Sequence, residues 1–284
     1  MVIWTIAKTT FGEAMRKKIL NVFLIVAVAM IVLSMSFTQL GFQSDLTVVK
    51  SLGLFVILLA GFIISLILCV SLIPNEVERR TIYTILSKPV KRYEFVVGKF
   101  LGGLLTLFVN IALMGAVFII MVMVKVWLSG DAAMSSKLAE AMAQAGEKAL
   151  KPRILDTSLI VGVLLMYFQF FLLSAVVMFF STFLTPTVNF FASSAVYVVG
   201  SAASIWQSIA MNKGPEVSSL VKAFYKVIYT IMPNFDNFNI QNRLIHPQEL
   251  RSMPIYVVGV IAYALLYSLV LMIVSVLIFE KKEV

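Results

Sequence analysis

Apolar runs cover residues 19–40, 52–73, 98–124, 157–183, 189–210 and 254–279, and Lys99 is the one charged residue inside any of them. At a rise of about 1.5 Å per residue, roughly 20 such residues cross the hydrocarbon of a bilayer. No water is present there to satisfy backbone N–H and C=O groups, so each run must be a helix. The pattern predicts an all-α polytopic membrane protein with six transmembrane helices. It forms a single domain over residues 1–284, with no large soluble part and no internal repeat.

Outside the runs the pattern changes to that of amphipathic helices. In residues 2–17, Ile3, Ile6, Ala7, Phe11 and Ala14 share one helical face, with Lys8, Thr9, Glu13 and Arg16 largely opposite. This predicts an N-terminal helix lying in the membrane interface before the chain turns inward at Lys18, a frayed tail being the alternative. Residues 131–150 are rich in strong helix formers and end before Pro152, with Met134, Leu138, Ala141, Met142 and Ala145 on one face. A further amphipathic stretch follows Asn212, and a loop containing Pro233–Asn239 and His246-Pro247 returns the chain to the sixth run. The fourth and fifth runs are separated only by the uncharged turn Leu184–Thr187.

The segment between the second and third runs carries dense charge. Asn75-x-x-Glu78, just after Pro74, has the form of a capping box. Val77, Thr81, Ile82, Ile85 and Leu86 line one face, and Glu76 and Arg80 form an i,i+4 pair on another. Pro89 forces Lys88 out of helical geometry. A short surface helix over 75–88 is predicted; a solvated basic loop anchoring two spans is the competing reading. The third run opens on Gly98-x-x-x-Gly102, a small-residue spacing that admits a neighbouring helix closely.

Composition agrees with the pattern: 61% of the 284 residues are hydrophobic and 13% charged, against roughly a quarter charged in soluble domains. The net charge of +9 would suggest nucleic acid in a soluble protein. Here the basic residues flank apolar runs, so membrane lipids and topology account for them and no nucleic acid is expected. Six crossings put both termini on one side. Twelve of the 23 Lys and Arg residues fall there in short segments; ten of the other eleven fall in the two long segments, where the rule counts less. Both termini are therefore expected in the cytoplasm. The first run exceeds a signal-peptide core and lacks a cleavage pattern, so it reads as a retained span. The single Cys69 lies inside a run, which precludes an intrachain disulfide.

Candidate chemistry is sparse. One histidine, His246, cannot build a zinc-protease motif, and neither a nucleophile elbow nor a phosphate loop occurs. No catalytic residue, metal ligand or cofactor site is expected in this chain. The spans hold no carboxylate, which argues against an ion-coupled carrier. Glu76-Val-Glu78-Arg79 is faintly similar to the acidic motif of CAAX-protease-like enzymes, but lacks their adjacent glutamates and further histidines. Asn21, Gln39, Asn110, Gln169, Asn189 and Gln207 read as interhelical hydrogen-bonding groups.

The run Glu78-Arg-Arg-Thr81-x-x-x-x-Leu86-Ser87-x-Pro89-Val90-x-Arg92-x-x-x-x-x-Gly98-Lys99 resembles the signature of ABC-2-type permeases, the membrane subunits of type V ABC exporters. The likeness extends along the chain: an N-terminal elbow helix ending near Arg16-Lys17-Lys18, six spans, an outer segment before the sixth, and a terminal Phe279-Glu-Lys-Lys. The resemblance implies two permease copies, identical or closely paralogous, working with separate ATPase subunits that hold ATP and Mg. It implies that the helix between spans two and three couples to the ATPase through Glu76, Glu78, Arg79, Thr81, Ser87 and Pro89. Thr185, Pro186 and Thr187 would make a smaller second contact. Spans one, two and five would line the substrate path. The implied location is a bacterial or archaeal cytoplasmic (inner) membrane, and the implied role is export by alternating access. The outer helix at 131–150 is more pronounced than the family requires and suits an outer partner. A permease-like scaffold that couples ATP hydrolysis to extracytoplasmic assembly remains the alternative, with an ion-coupled carrier behind it.

Overall fold

A computed structural model of the chain describes residues 2–34, 46–74, 91–128, 157–205, 230, 232–239 and 253–281. The helices expected over 75–88 and 131–150, and His246, lie outside the described residues. All described elements are helical: α1 (Val2–Met15), α2 (Lys18–Ser34), α3 (Leu46–Val70), α4 (Arg92–Leu128), α5 (Thr157–Ser181), α6 (Pro186–Ser201) and α7 (Met253–Lys281), with a 3-10 turn at Asp236–Phe238.

Four helices are long and apolar enough to cross a membrane: α3, α4, α5 and α7. The pair α1 and α2, bent by 63°, makes a fifth if counted as one span. The fifth apolar run is helical as α6 from Pro186 through Ser201, turns at Ala202 and is helical again over 203–205, and its remainder lies outside the described residues. Helix α4 is longer than its run, with 37 residues starting at Arg92. Its first turn, with Arg92, Tyr93 and Glu94, continues the helix beyond the apolar part.

Neighbouring helices run up and down. Phe100 meets Phe171 (5.8 Å between ring centroids) and Phe108 meets Tyr167 (5.4 Å), so α4 and α5 are antiparallel. The ends of α3, α5 and α7 and the starts of α2, α4 and α6 therefore lie at one end of the bundle, which we call the connector end. The centre is α3 with α5, each buried over 61% of an apolar stretch of 18 residues, against 39% for α4 and 22% for α7. Lipid tails are as apolar as leucine, so shape fit between helices holds such a bundle more than apolar burial does. Glycines supply that fit: Phe170 of α5 occupies the space a side chain at Gly61 would need, and Phe118 of α4 does the same at Gly53.

Helix α1 has the faces expected of it, but its apolar face is turned to protein. Ala7, Thr10 and Ala14 are buried against the first half of α4, while Lys8, Thr9, Glu13 and Arg16 are exposed.

Candidate functional site

The connector end gathers most of the described charge. Gly98 and Gly102 of α4 face α1: a Cβ at Gly98 would lie 2.8 Å from Ile6, and one at Gly102 would lie 2.6 Å from the Ala7 carbonyl oxygen and from Thr10 Cβ. Only hydrogen at these two positions lets the backbones approach so closely. Between them Lys99, 6% exposed, points back along the joint. Its ammonium lies 3.9 Å from the Glu13 carboxylate and 5.9 Å from the Phe95 ring. Glu13 is 56% exposed, so water screens the pair and its net contribution is small.

Two further basic residues tie neighbouring helices to this joint. Lys17, at the bend between α1 and α2, donates to the Ser71 hydroxyl (3.1 Å) at the end of α3. Ser71 in turn shares its hydroxyl proton between the carbonyls of Ile67 and Leu68 (3.2 and 3.3 Å) in the last turn of α3. Arg92 opens α4 and donates to the carbonyls of Phe279 and Glu280, both at 3.3 Å. A cation on the last carbonyls of a helix satisfies them and offsets the negative end of its dipole. Phe95 stacks on Phe279 beside this cap. The described residues on either side of the connector, up to Pro74 and from Lys91, are thus held to α1, α2 and α7. Glu76, Glu78, Arg79, Thr81, Ser87 and Pro89 lie outside the described residues.

The structure places Thr185, Pro186 and Thr187 at this same end, where α5 turns into α6. Thr185 is extended and caps α6, with Pro186 in the first helical position. The Thr185 carbonyl accepts from the Asn189 N–H (2.9 Å). The Asn189 side chain then donates to the Val177 carbonyl on α5 (3.1 Å) and accepts from the Ser193 hydroxyl (2.8 Å). This turn is fixed by buried polar groups, unlike the partly solvated ion pair beside α1.

The opposite end is built from aromatics. Phe235 and Phe238, 0% and 1% exposed, insert between helices. The Phe235 N–H donates to the Gly200 carbonyl (3.1 Å), and Pro233 and Phe235 occupy the space a side chain at Gly200 would need. Asn234 folds the segment by accepting from the N–H groups of Asp236 and Asn237 (3.0 and 3.3 Å). Two tyrosines of α7 hold it: Tyr263 accepts from the Asn234 N–H (2.9 Å) and Tyr256 donates to the Asn237 carbonyl (2.6 Å). Phe235 packs on Tyr197 (5.1 Å), which packs on Phe62 of α3 (4.6 Å) and accepts from the Gln169 amide (3.1 Å).

Of the neutral polar residues expected to bridge helices, Gln169 and Asn189 join α5 to α6, and Asn21 reaches the Met15 carbonyl of α1 (3.4 Å). Asn110 instead donates within its own helix to the Thr106 carbonyl (2.8 Å). Gln39 and Gln207 lie outside the described residues. Among the described residues no three His, Cys, Asp or Glu side chains come together as a metal site would need.

No protein-family model matches the chain, and a search of curated proteins returns no match. Geometry and sequence pattern therefore carry the functional reading. Sequence reasoning missed the roles of Lys17, Ser71 and Arg92, which depend on which helix ends meet. It also missed the burial of Phe235 and Phe238. The spacing of two aromatics by three residues after Pro-Asn was the available signal for that insertion.

Proposed function

We propose that this chain is the permease subunit of an ATP-driven exporter of the ABC-2 type, in which a separate ATPase subunit supplies the work. In this reading six spans enclose the path, α1 is the elbow helix, and residues 75–88 form the coupling helix. A second permease copy completes the path and the complex sits in a cytoplasmic membrane. The observation that supports it best is the bracing of the connector on both sides. Ser71 is tied to Lys17 before it, and Lys99 and Arg92 are tied to α1 and α7 after it. A push delivered to the connector would move α3 and α4 as bodies, because Pro74 and Pro89 leave it little slack.

The spans suit such motion. Buried ion pairs would have to break whenever helices tilt, whereas Ser65, Thr106 and Asn110 bond within their own helices and Asn189 to an adjacent one. Alternating access then follows: ATP closes the ATPase pair, the coupling helices move with it, and α3 and α4 change tilt.

Glu78→Arg is expected to abolish permease-stimulated ATP hydrolysis in the assembled complex while leaving the chain folded in the membrane. Stimulated hydrolysis and transport at wild-type rates in that variant would overturn the docking assignment.

A further inference from the structure

Helices α4 and α7, joined at the connector end by Arg92 and Phe95, leave between them a groove of about 650 Å³. Its walls include Val97 and Leu101 of α4, Phe171 of α5, and Leu265, Leu269 and Ile273 of α7. Leu269 and Ile273 are more than half exposed, so the groove opens to the outside of the bundle. Along α7 it runs from Leu265 to Glu280, which at 1.5 Å per residue is about 22 Å. That equals half of the roughly 40–45 Å of a bilayer with its headgroups, the depth of one leaflet.

The two ends of the groove differ in polarity. The inner part is hydrocarbon apart from Ser268. The mouth carries Tyr93 and Glu280 on its walls, with the Lys91 ammonium 5.8 Å from the Tyr93 ring and Lys281 in the next position of α7. Arg92 is engaged with the α7 carbonyls, and the Glu94 carboxylate accepts from the Lys91 N–H (3.0 Å). The wall of the mouth therefore bears a carboxylate with a cation close by, at the level where a headgroup would lie.

We propose that this groove is a binding site for one phospholipid whose headgroup is zwitterionic and carries an amine. An acyl chain lies against Leu101, Phe171, Leu269 and Ile273. The phosphate turns toward Lys91 and the ammonium toward Glu280. Lipid on a convex helix touches protein on one side, whereas a chain in this groove touches three helices, which multiplies its dispersion contacts. An ammonium beside Glu280 gains a charge-assisted contact that a glycerol headgroup lacks, so the site selects the amine.

Native mass spectrometry of the full-length chain, delipidated and titrated with phosphatidylethanolamine, phosphatidylcholine or phosphatidylglycerol, tests this. One phosphatidylethanolamine should be retained about tenfold more tightly than phosphatidylglycerol, the scale of a single charge-assisted contact. Leu269→Trp, which fills the groove from an exposed position, should remove that retention, and Val258→Trp on the open face of α7 should not. Glu280→Gln should erase the headgroup preference while binding persists. Equal retention of all three lipids, a preference for phosphatidylglycerol, or retention unaffected by Leu269→Trp would each overturn the proposal.

Discussion

The two ends of the bundle are held by different physics. At the connector end, α1, α3, α4 and α7 meet through one lysine-to-hydroxyl bond, one loose ion pair, an arginine on two carbonyls and two glycine contacts. At the other end, Phe235 and Phe238 are fully enclosed and pinned by Tyr256, Tyr263 and Gly200. Polar contacts between partly solvated groups exchange readily with water, each for little net free energy. A buried aromatic cannot leave without opening a cavity. Apart from the buried Phe95–Phe279 stack and the α5–α6 turn, the contrast separates an end whose contacts can be remade from an end that keeps α5, α6 and α7 together. A machine driven from the connector would need both.

The contrast is broken most directly at Phe235. Phe235→Ala removes a ring packed on Tyr197 and empties a site closed on all sides, and should destabilise the chain by about 3 kcal/mol or more. Thermal unfolding in lipid nanodiscs reads this as a drop in midpoint. Protease cleavage on the side of the membrane bearing residues 232–239 should rise with it. A variant as stable as wild type would mean that the insertion is peripheral, and the ends would no longer differ.

A smaller effect is expected where glycine sets the approach of α1 to α4. At Gly102 the obstacle is the Ala7 backbone carbonyl, which cannot rotate aside. Gly102→Leu should therefore cost about 1–3 kcal/mol, as overpacking does, and separate α1 from α4. Gly259→Leu is the matched control, since nothing lies within 4 Å of the position its Cβ would take. A thiol at Thr10→Cys, buried against α4, would report the separation as faster labelling by a thiol reagent in Gly102→Leu. Unchanged labelling would show that α1 is held by other contacts.

How much of this was legible follows from what sequence pattern encodes. Absence of charge located α3, α4, α5 and α7, because the bilayer imposes one length and one polarity on any helix that crosses it. The face of α1 was legible from its period, but not what covers that face. A stripe of Ile and Ala fits lipid and fits the glycines of α4 equally well. The fifth run did not foretell the turn at Ala202, because apolar residues continue past it. In the candidate site, Gly98 and Gly102 could be read as a place of close approach without their partner being named. Lys17–Ser71 and Arg92–Phe279 join residues 54 and 187 positions apart, and no local pattern carries such pairings. Pro233–Asn239 read as a loop because Pro, Asn and Asp mark turns. Its two phenylalanines are buried because the turn itself is inserted.

The smallest stability effect is expected at the Lys17–Ser71 contact, and it bears most on the comparison. The bond is part-buried and joins the α1–α2 bend to the last turn of α3, the point from which the connector departs. Bonds of this kind between membrane helices contribute about 0.6 kcal/mol on average, because each group finds another partner when separated. A double-mutant cycle with Lys17→Met and Ser71→Ala should therefore give a coupling below about 1 kcal/mol. In Lys17→Met the Ser71 hydroxyl retains its local carbonyl acceptors at Ile67 and Leu68, so loss of the lysine alone should leave α3 folded. A coupling above about 2 kcal/mol would place this contact in the class of enclosed, structural interactions. The connector end would then be as fixed as the aromatic end, and a push on the connector would have no weak contact to release.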